Sequence, residues 1–527
     1  MNWYENAIFY ELYPRAFADA NGDGYGDFAG LRSKLDYLQW LGVDCIWVTP
    51  INPSPLRDDG YDVSSYYGID PMYGLMEDFK LTVAEIHRRG MKILLDVVMN
   101  HTSDQHPWFL EARRSKDSPL RDYYVWTNDP TKYSEARIIF TDTENSNWAY
   151  DEQSGEYYWH RFYSSQPDLN YDNPEVREEM LKVVDFWLQQ GIDGFRVDAI
   201  PYLFEREGTN CENLPETHEF LRELRAYVDE RYPGTLLMAE ANQWPHDLLP
   251  YFGDGDEFQM CFHFPIMPRL YMSIAKRDRQ SIIDIMNDTP EIPTGTQWVT
   301  FLRNHDELTL EMVTEEEREF MWDFYAKDPH QRLNLGIRRR LAPLMENDRR
   351  RIELLYSLLL SMPGAPMLYY GDEIGMGDNI ALFDRNGVRT PMQWDESPNG
   401  GFSTAPIEAL YVPPISDPDF GYTSVNVAMQ QVTPNSLLNT IQAMIHKRKA
   451  RPTLAKGKLI WLEHLPPHIL AFWREDENGR ILALHNLSDE ETVIDFPEAL
   501  GLTEFLTETP VESETLTVAP YGYYWYQ

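Results

Sequence analysis

The feature of this sequence that most limits its fold is a repeated grammar: an amphipathic helix, a glycine, then a short apolar run closed by polar residues. Residues 31–41 place leucines at 31, 35, 38 and 41, stop at Gly42, and lead into the apolar run 43–48. The same order returns with helical patterns over 77–89, 176–190, 219–231 and 351–360. These precede apolar runs at 91–99, 194–199, 235–240 and 365–370, and a further run lies at 298–302. Strands that alternate with helices from Ala7 to Tyr370 imply a parallel sheet, closed most simply as a (β/α)8 TIM barrel.

At 527 residues the chain is too long for one ordinary domain. The barrel is expected over 1–100 and 173–451. Residues 101–172 break the alternation and are rich in Asp, Asn, Trp and Tyr, which predicts a loop-rich subdomain inserted after the third strand, over the barrel mouth. Residues 311–348 form a highly charged helical insertion that fits a solvated cover or a contact in a homo-oligomer. From 452 to 527, runs at 458–462, 469–473, 481–486, 492–496 and 517–525 are separated by turn-rich segments, as in an antiparallel β-sandwich.

Charge and cysteine usage exclude several classes. With 85 acidic against 46 basic residues the formal charge is −39, a surface that repels nucleic acid and acidic membranes and leaves a neutral substrate unaffected. Cys45, Cys211 and Cys261 are widely spaced, against a disulfide scaffold or a structural zinc site. No leader pattern or apolar span stands out, so a cytoplasmic location is expected.

The chemistry sits where the strands end. Asp96, Asn100 and His101 close one run, Arg196 and Asp198 another, Glu240 a third, and His305 with Asp306 a fourth. A barrel gathers its strand ends at one face, so these carboxylates should converge there. Without thiolate or dinucleotide signatures, the set points to glycosidic chemistry and to no organic cofactor. One carboxylate attacks the anomeric carbon while another protonates the departing oxygen. Nearer the start, Asp19, Asn21, Asp23 and Asp27 alternate with glycines. With the Tyr25 carbonyl they can wrap a hard cation, calcium rather than magnesium.

In order, Asp96-Val-Val-Met-Asn100-His101, Gly194-Phe-Arg196-Val-Asp198-Ala, Glu240 after an apolar strand and Asn304-His305-Asp306 resemble the four signature regions of the α-amylase family (glycoside hydrolase family 13) of retaining enzymes. The resemblance implies Asp198 as nucleophile, Glu240 as general acid/base and Asp306 as the third carboxylate. Arg196 would orient Asp198, and His101 and His305 would bind sugar hydroxyls. Ser54-Pro-Leu-Arg-Asp58-Asp-Gly-Tyr61 resembles the family's sugar-pocket wall, with Tyr61 stacking on the ring and Asp58 on its far hydroxyls. The segment from Asp384 to Trp394 resembles the one whose arginine pairs with that aspartate, either Arg385 or Arg389 here.

Longer segments around His101, Arg137–Trp148, Leu203–His218, Glu240 and Asn304–Met312 are similar to the trehalose synthase group of that family, the glucosyl mutases that interconvert maltose and trehalose with some release of glucose. In that resemblance Gln166 faces the sugar. A second calcium site takes Asn100, Asp168 and Glu205 with backbone oxygens of Tyr202 and Leu203. Arg137 is expected to meet Asn242 or Glu307 above the pocket as a lid.

Overall fold

The computed structural model describes residues 2–527. Eight parallel strands close into a barrel in chain order: β1 (Phe9–Leu12), β2 (Cys45–Val48), β3 (Lys92–Val98), β4 (Gly194–Asp198), β5 (Leu236–Ala239), β6 (Met260–Phe262), β7 (Gln297–Phe301) and β8 (Ala365–Tyr369). β6 is the strand the sequence pattern did not disclose. It is three residues long with no clear helical repeat before it, so neither length nor periodicity marks it.

The unit leading into β4 shows why the pattern folds as it does. The helix Pro174–Leu188 starts with Asn173 accepting the Glu175 N–H, which satisfies one of the free donors of the first turn, and with Pro174 at its first position. Val176, Met180, Val183, Val184 and Trp187 are buried along its inner stripe, each contributing about 1.5–3 kcal/mol or more by leaving water. The chain then enters β4 at Gly194, where an added Cβ would lie 2.0 Å from the Leu236 carbonyl oxygen of β5. Only glycine allows the two strands to approach there.

Three expectations change in detail. The helix foreseen over 31–41 is two helices, Phe28–Ser33 and Leu35–Leu41, broken at Lys34. The 101–172 subdomain contains a three-stranded antiparallel sheet with the strand Glu156–Trp159 between Trp126–Thr127 and Trp148–Asp151. The 311–348 insertion is only partly helical. Its helix Glu315–Tyr325 is followed by the short strands Arg332–Leu333 and Gly336–Ile337, the latter pairing with Leu308–Thr309.

The C-terminal domain is antiparallel, a six-stranded sheet beside a two-stranded one. The run at 517–525 divides into Thr515–Val518 and Tyr523–Tyr526, which belong to different sheets. This domain docks on the barrel helix Arg349–Ser361. Trp525 Nε1 donates to Ser357 Oγ at 3.0 Å, and Arg474 Nη1 donates to the Ser361 carbonyl at 2.8 Å.

Candidate active site

The carboxyl ends of β3, β4, β5 and β7 bring the foreseen polar residues to one mouth. Register does much of this. Asp96 on β3 pairs with Arg196 on β4, and Arg196 Nη1 donates to Asp96 Oδ1 at 2.7 Å and also to Asp198 Oδ1. Arg196 Nη2 lies 3.7 Å from Glu240 Oε1, so one guanidinium touches three carboxyls. Directly after Asp198, Ala199 adopts a left-handed conformation (φ 52°, ψ 37°) that turns its N–H onto Glu240 Oε2 at 2.8 Å. Strain of this kind persists where surrounding packing enforces it.

The opposite wall settles which arginine meets Asp58. Arg385 Nη2 donates to Asp58 Oδ1 at 2.6 Å and its Nη1 to Asp306 Oδ1 at 2.7 Å. Arg389 instead binds Asp59 Oδ2 at 2.6 Å, approaches Asp306 Oδ1 from behind at 3.1 Å, and is absent from the pocket lining. Gln166 also differs from expectation. It is fully buried and its Nε2 donates to Asp58 Oδ2 at 2.9 Å, so it holds the aspartate and forms no part of the lining. Tyr61 is stacked on His305, with ring centroids 5.0 Å apart and planes 7° apart. His101 lines the pocket, its Nε2 3.1 Å from the Tyr61 carbonyl oxygen.

Burial dominates the electrostatics. It raises Asp198 to about 7 against the pull of Arg196, with Asp96 and Asp306 adding repulsion. It raises Glu240 to about 7 as well, with Arg196 opposing and Asp198 reinforcing. The two titrate as a pair. Because Arg196 donates directly to Asp198 and stands off from Glu240, the carboxylate belongs to Asp198 and the shared proton to Glu240. Asp306 is the contrast: burial alone would raise it, yet the neighbouring His305 and the Arg385 and Arg389 guanidiniums hold it well below the usual carboxylate range.

The pocket is small, with a cavity volume of about 100 Å³. Its roof is apolar and comes from the inserted subdomain: Ile139, Phe140 and Phe162 lean over Ala199 and Tyr202. Sequence patterns gave no warning of these roof residues, which lie in a segment without periodicity.

The chain has relatives among known proteins. The model of the α-amylase catalytic domain matches residues 11–327 and 337–457, and that of the maltogenic amylase C-terminal domain matches 461–525. The chain is 53% identical over 547 aligned residues to the trehalose synthase/amylase TreS of Mycobacterium tuberculosis, covering 100% of this chain and 90% of that one. It is 52% identical to the trehalose synthase of Thermus thermophilus, covering 99% of this chain and 55% of that one. The crystal structure of the trehalulose synthase MutB from Pseudomonas mesoacidophila superposes with a TM-score of 0.81 at 28% identity, covering 100% of this chain and 99% of the other. This chain belongs to the α-amylase family, in its trehalose synthase group.

For this α-amylase-family enzyme the foreseen lid contact is made with other partners. Arg137 bonds Glu212 Oε1 at 2.8 Å and Glu311 Oε2 at 2.5 Å, and reaches neither Asn242 nor Glu307. Glu212 is the stronger anchor because Arg161 and Gln243 also donate to it, at 2.9 and 3.0 Å. Asn242 donates to Thr309 Oγ1 at 3.3 Å, and Glu307 accepts from Asn334 at 3.3 Å. Asn242, Glu307 and Glu311 all line the pocket.

The two foreseen cation positions behave differently. In the first, Asp19 accepts the N–H groups of Gly22 and Gly24 at 2.7 and 2.8 Å, and Asp27 accepts those of Ala20, Asn21 and Gly30. Gly24 (φ 97°) is required, since a Cβ there would meet the Ala409 carbonyl oxygen at 2.2 Å. Among the described residues no three His, Cys, Asp or Glu side chains are grouped as a metal site, so this loop offers oxygen chemistry without a preformed cage.

The second set fits a cation more closely. Asn100 Oδ1, Asp168 Oδ2 and Glu205 Oε1 are buried without partners, and burial pushes Asp168 up to about 8 despite the nearby Arg161. Burial likewise raises Glu205, with Asp168 adding repulsion. Unpartnered buried oxygens crowding one another are what a bound cation would relieve.

Proposed function

We propose that this enzyme interconverts maltose and trehalose by a retaining double displacement. The single observation that carries the chemistry is the Arg196 guanidinium in contact with both Asp198 and Glu240. It keeps the two carboxyls on one side of a small pocket, in keeping with the roughly 5 Å separation of a retaining pair. Relatives named trehalose synthase across the full chain support the substrate assignment.

Asp198, held ionised by Arg196, attacks the anomeric carbon of the non-reducing glucosyl unit of maltose, while Glu240 gives its proton to the departing 4-oxygen. Covalent glucosyl-enzyme and free glucose result. Asp306, fixed by Arg385, faces the positive charge that develops on the sugar ring. The freed glucose turns within the pocket and offers its anomeric hydroxyl. Glu240 takes the hydroxyl proton as the oxygen attacks the glucosyl-enzyme, forming trehalose and restoring Asp198. Nothing is consumed on balance.

Product fate depends on water. If water takes the place of glucose in the second step, two glucose molecules leave, so minor hydrolysis accompanies the mutase reaction. The roof of Ile139, Phe140 and Phe162 supports a chamber that shields the intermediate. The far hydroxyls of the glucosyl unit meet Asp58 and Arg385, which bond each other and favour a terminal glucose over an internal unit of a polymer.

Calcium is the cation proposed for Asn100, Asp168 and Glu205, and for the loop from Asp19 to Asp27. When bound it would supply structural charge balance. Asn100 adjoins His101, whose backbone pairs with Asp168, so the first of these sites would tie the inserted subdomain to the pocket wall.

The test is incubation of the purified protein with maltose alone, followed by proton NMR of the anomeric signals. Trehalose appearing ahead of glucose is expected. Glucose as the only product would make the enzyme a hydrolase.

A further inference from the structure

Below the pocket, Glu11 stands in the middle of β1 and is completely buried. Its Oε1 is 2.5 Å from His305 Nδ1 and accepts the His305 backbone N–H at 3.3 Å, while its Oε2 has no partner. The His305 ring cannot turn away, because Tyr61 stacks on it and Trp47 packs edge-on at 5.7 Å. Its other nitrogen, Nε2, lies 3.3 Å from Asp306 Oδ2.

Hydrogen placement follows from what each group can do. Asp306 faces Arg385 and Arg389 as a carboxylate, and its negative charge 3.3 Å from His305 Nε2 favours a hydrogen on that nitrogen. That leaves the contact between Glu11 and Nδ1, which one hydrogen must fill. If that hydrogen stayed on Nδ1, Glu11 would be an ionised carboxylate with one oxygen buried and unpaired, a costly state. If it stays on Glu11, both groups are neutral. The groups facing Glu11 are Arg196, which favours its charge, and Asp96 and Asp306, which oppose it. Burial outweighs them, raising Glu11 well above the carboxylate range and lowering His305 well below its ordinary value.

We propose that Glu11 is a positioning residue: a neutral carboxylic acid that donates to His305 Nδ1 and locks the imidazole in its uncharged Nε2–H form, with that N–H directed at the pocket. The consequence concerns Asp306. A neutral imidazole beside it can donate a hydrogen bond without cancelling its charge, which stays free to face the positive charge of the glucosyl transition state. An imidazolium would have neutralised it. This role rests on the pocket being the glucosyl site.

The tautomer can be read without substrate. In enzyme labelled with 15N-histidine, the two-bond 15N–1H pattern of His305, assigned by its loss in His305→Asn, is expected to show a neutral Nε2–H ring. An imidazolium or Nδ1–H pattern would overturn the proposal. Glu11→Gln, whose carboxamide can also donate to Nδ1, should keep that pattern and a kcat within about threefold of the parent. Glu11→Met, similar in size but unable to donate, should lower kcat about 10²-fold, the scale of losing a preorganised group. A folded Glu11→Gln enzyme that loses kcat tenfold or more would equally sink the idea. Failure of the glucosyl assignment looks different: the expected tautomer in an enzyme that leaves maltose untouched.

Discussion

Arg385 and Asp58, 327 positions apart in the chain, meet through Nη2 and Oδ1 at 2.6 Å, and the same guanidinium reaches Asp306 with Nη1 at 2.7 Å. Two carboxylates from separate loops are thus spaced by one rigid fork. Lysine carries the charge but cannot span both. Arg385→Lys is expected to lower kcat/KM for maltose about 10–100-fold, matching a charge-assisted bond of roughly 1.5–3 kcal/mol. Steady-state kinetics on maltose would check it, and a change below twofold would remove Arg385 from the pocket's function.

Asp198→Asn should abolish isomerisation and hydrolysis together, since in the proposed mechanism both pass through the same glucosyl-enzyme. Glu240→Gln should lower maltose turnover by about 10²–10⁴-fold, the usual worth of a general acid, yet still release fluoride from α-glucosyl fluoride, whose leaving group needs no proton. Persistent maltose turnover by the Asp198→Asn enzyme would point to a different nucleophile.

Both carboxyls of the pair are raised to about 7, and the proposed mechanism requires the singly protonated form. Raising the pH through that region removes the Glu240 proton, so kcat/KM should fall on the alkaline side with a midpoint near neutrality. Lowering the pH protonates Asp198 and produces the acid limb. With α-glucosyl fluoride, Glu240→Gln should lose the alkaline limb of the first half-reaction; an unchanged limb would assign that ionisation elsewhere.

Arg137 links the inserted subdomain to Glu212 and Glu311 across the top of the pocket. Its replacement by alanine should loosen the roof and raise the proportion of glucose among the products several-fold, with the carboxylates below untouched. Product ratios by NMR decide this. An unaltered ratio would show that these ion pairs do not control water entry.

If calcium occupies the Asn100, Asp168 and Glu205 site, chelation should lower Tm by a few degrees, because a ligand present at a hundred times its Kd stabilises by about 2.7 kcal/mol. Asp168→Asn should blunt the response. Calorimetry with and without chelator would reveal it, and a Tm indifferent to calcium would count against both proposed positions.

Much of the barrel could be read from the chain because most of the helices before its strands carry a 3.6-residue stripe and most strands are four or more residues long and largely apolar. The strand ends were equally legible, since Arg196, Asp198 and Glu240 interrupt or close runs that should otherwise be apolar. Glu11 breaks the run Phe9–Leu12 by the same rule, and that signal could have found it. Other features had no local signature. The choice between Arg385 and Arg389 depends on how a loop without regular structure crosses the mouth. Gln166 passes behind Asp58 for a similar reason, and Arg137 finds Glu212 only through the folding of the inserted subdomain.

The floor of the pocket is built from strand ends and the roof from loops such as those bearing Phe140 and Phe162. These parts can mutate separately. Under the proposed mechanism, altering the loops should leave bond cleavage intact while redirecting the glucosyl-enzyme toward water, glucose or another alcohol. A directed-evolution library confined to residues 137–163 is therefore a way to search for new disaccharide products on an inherited catalytic base.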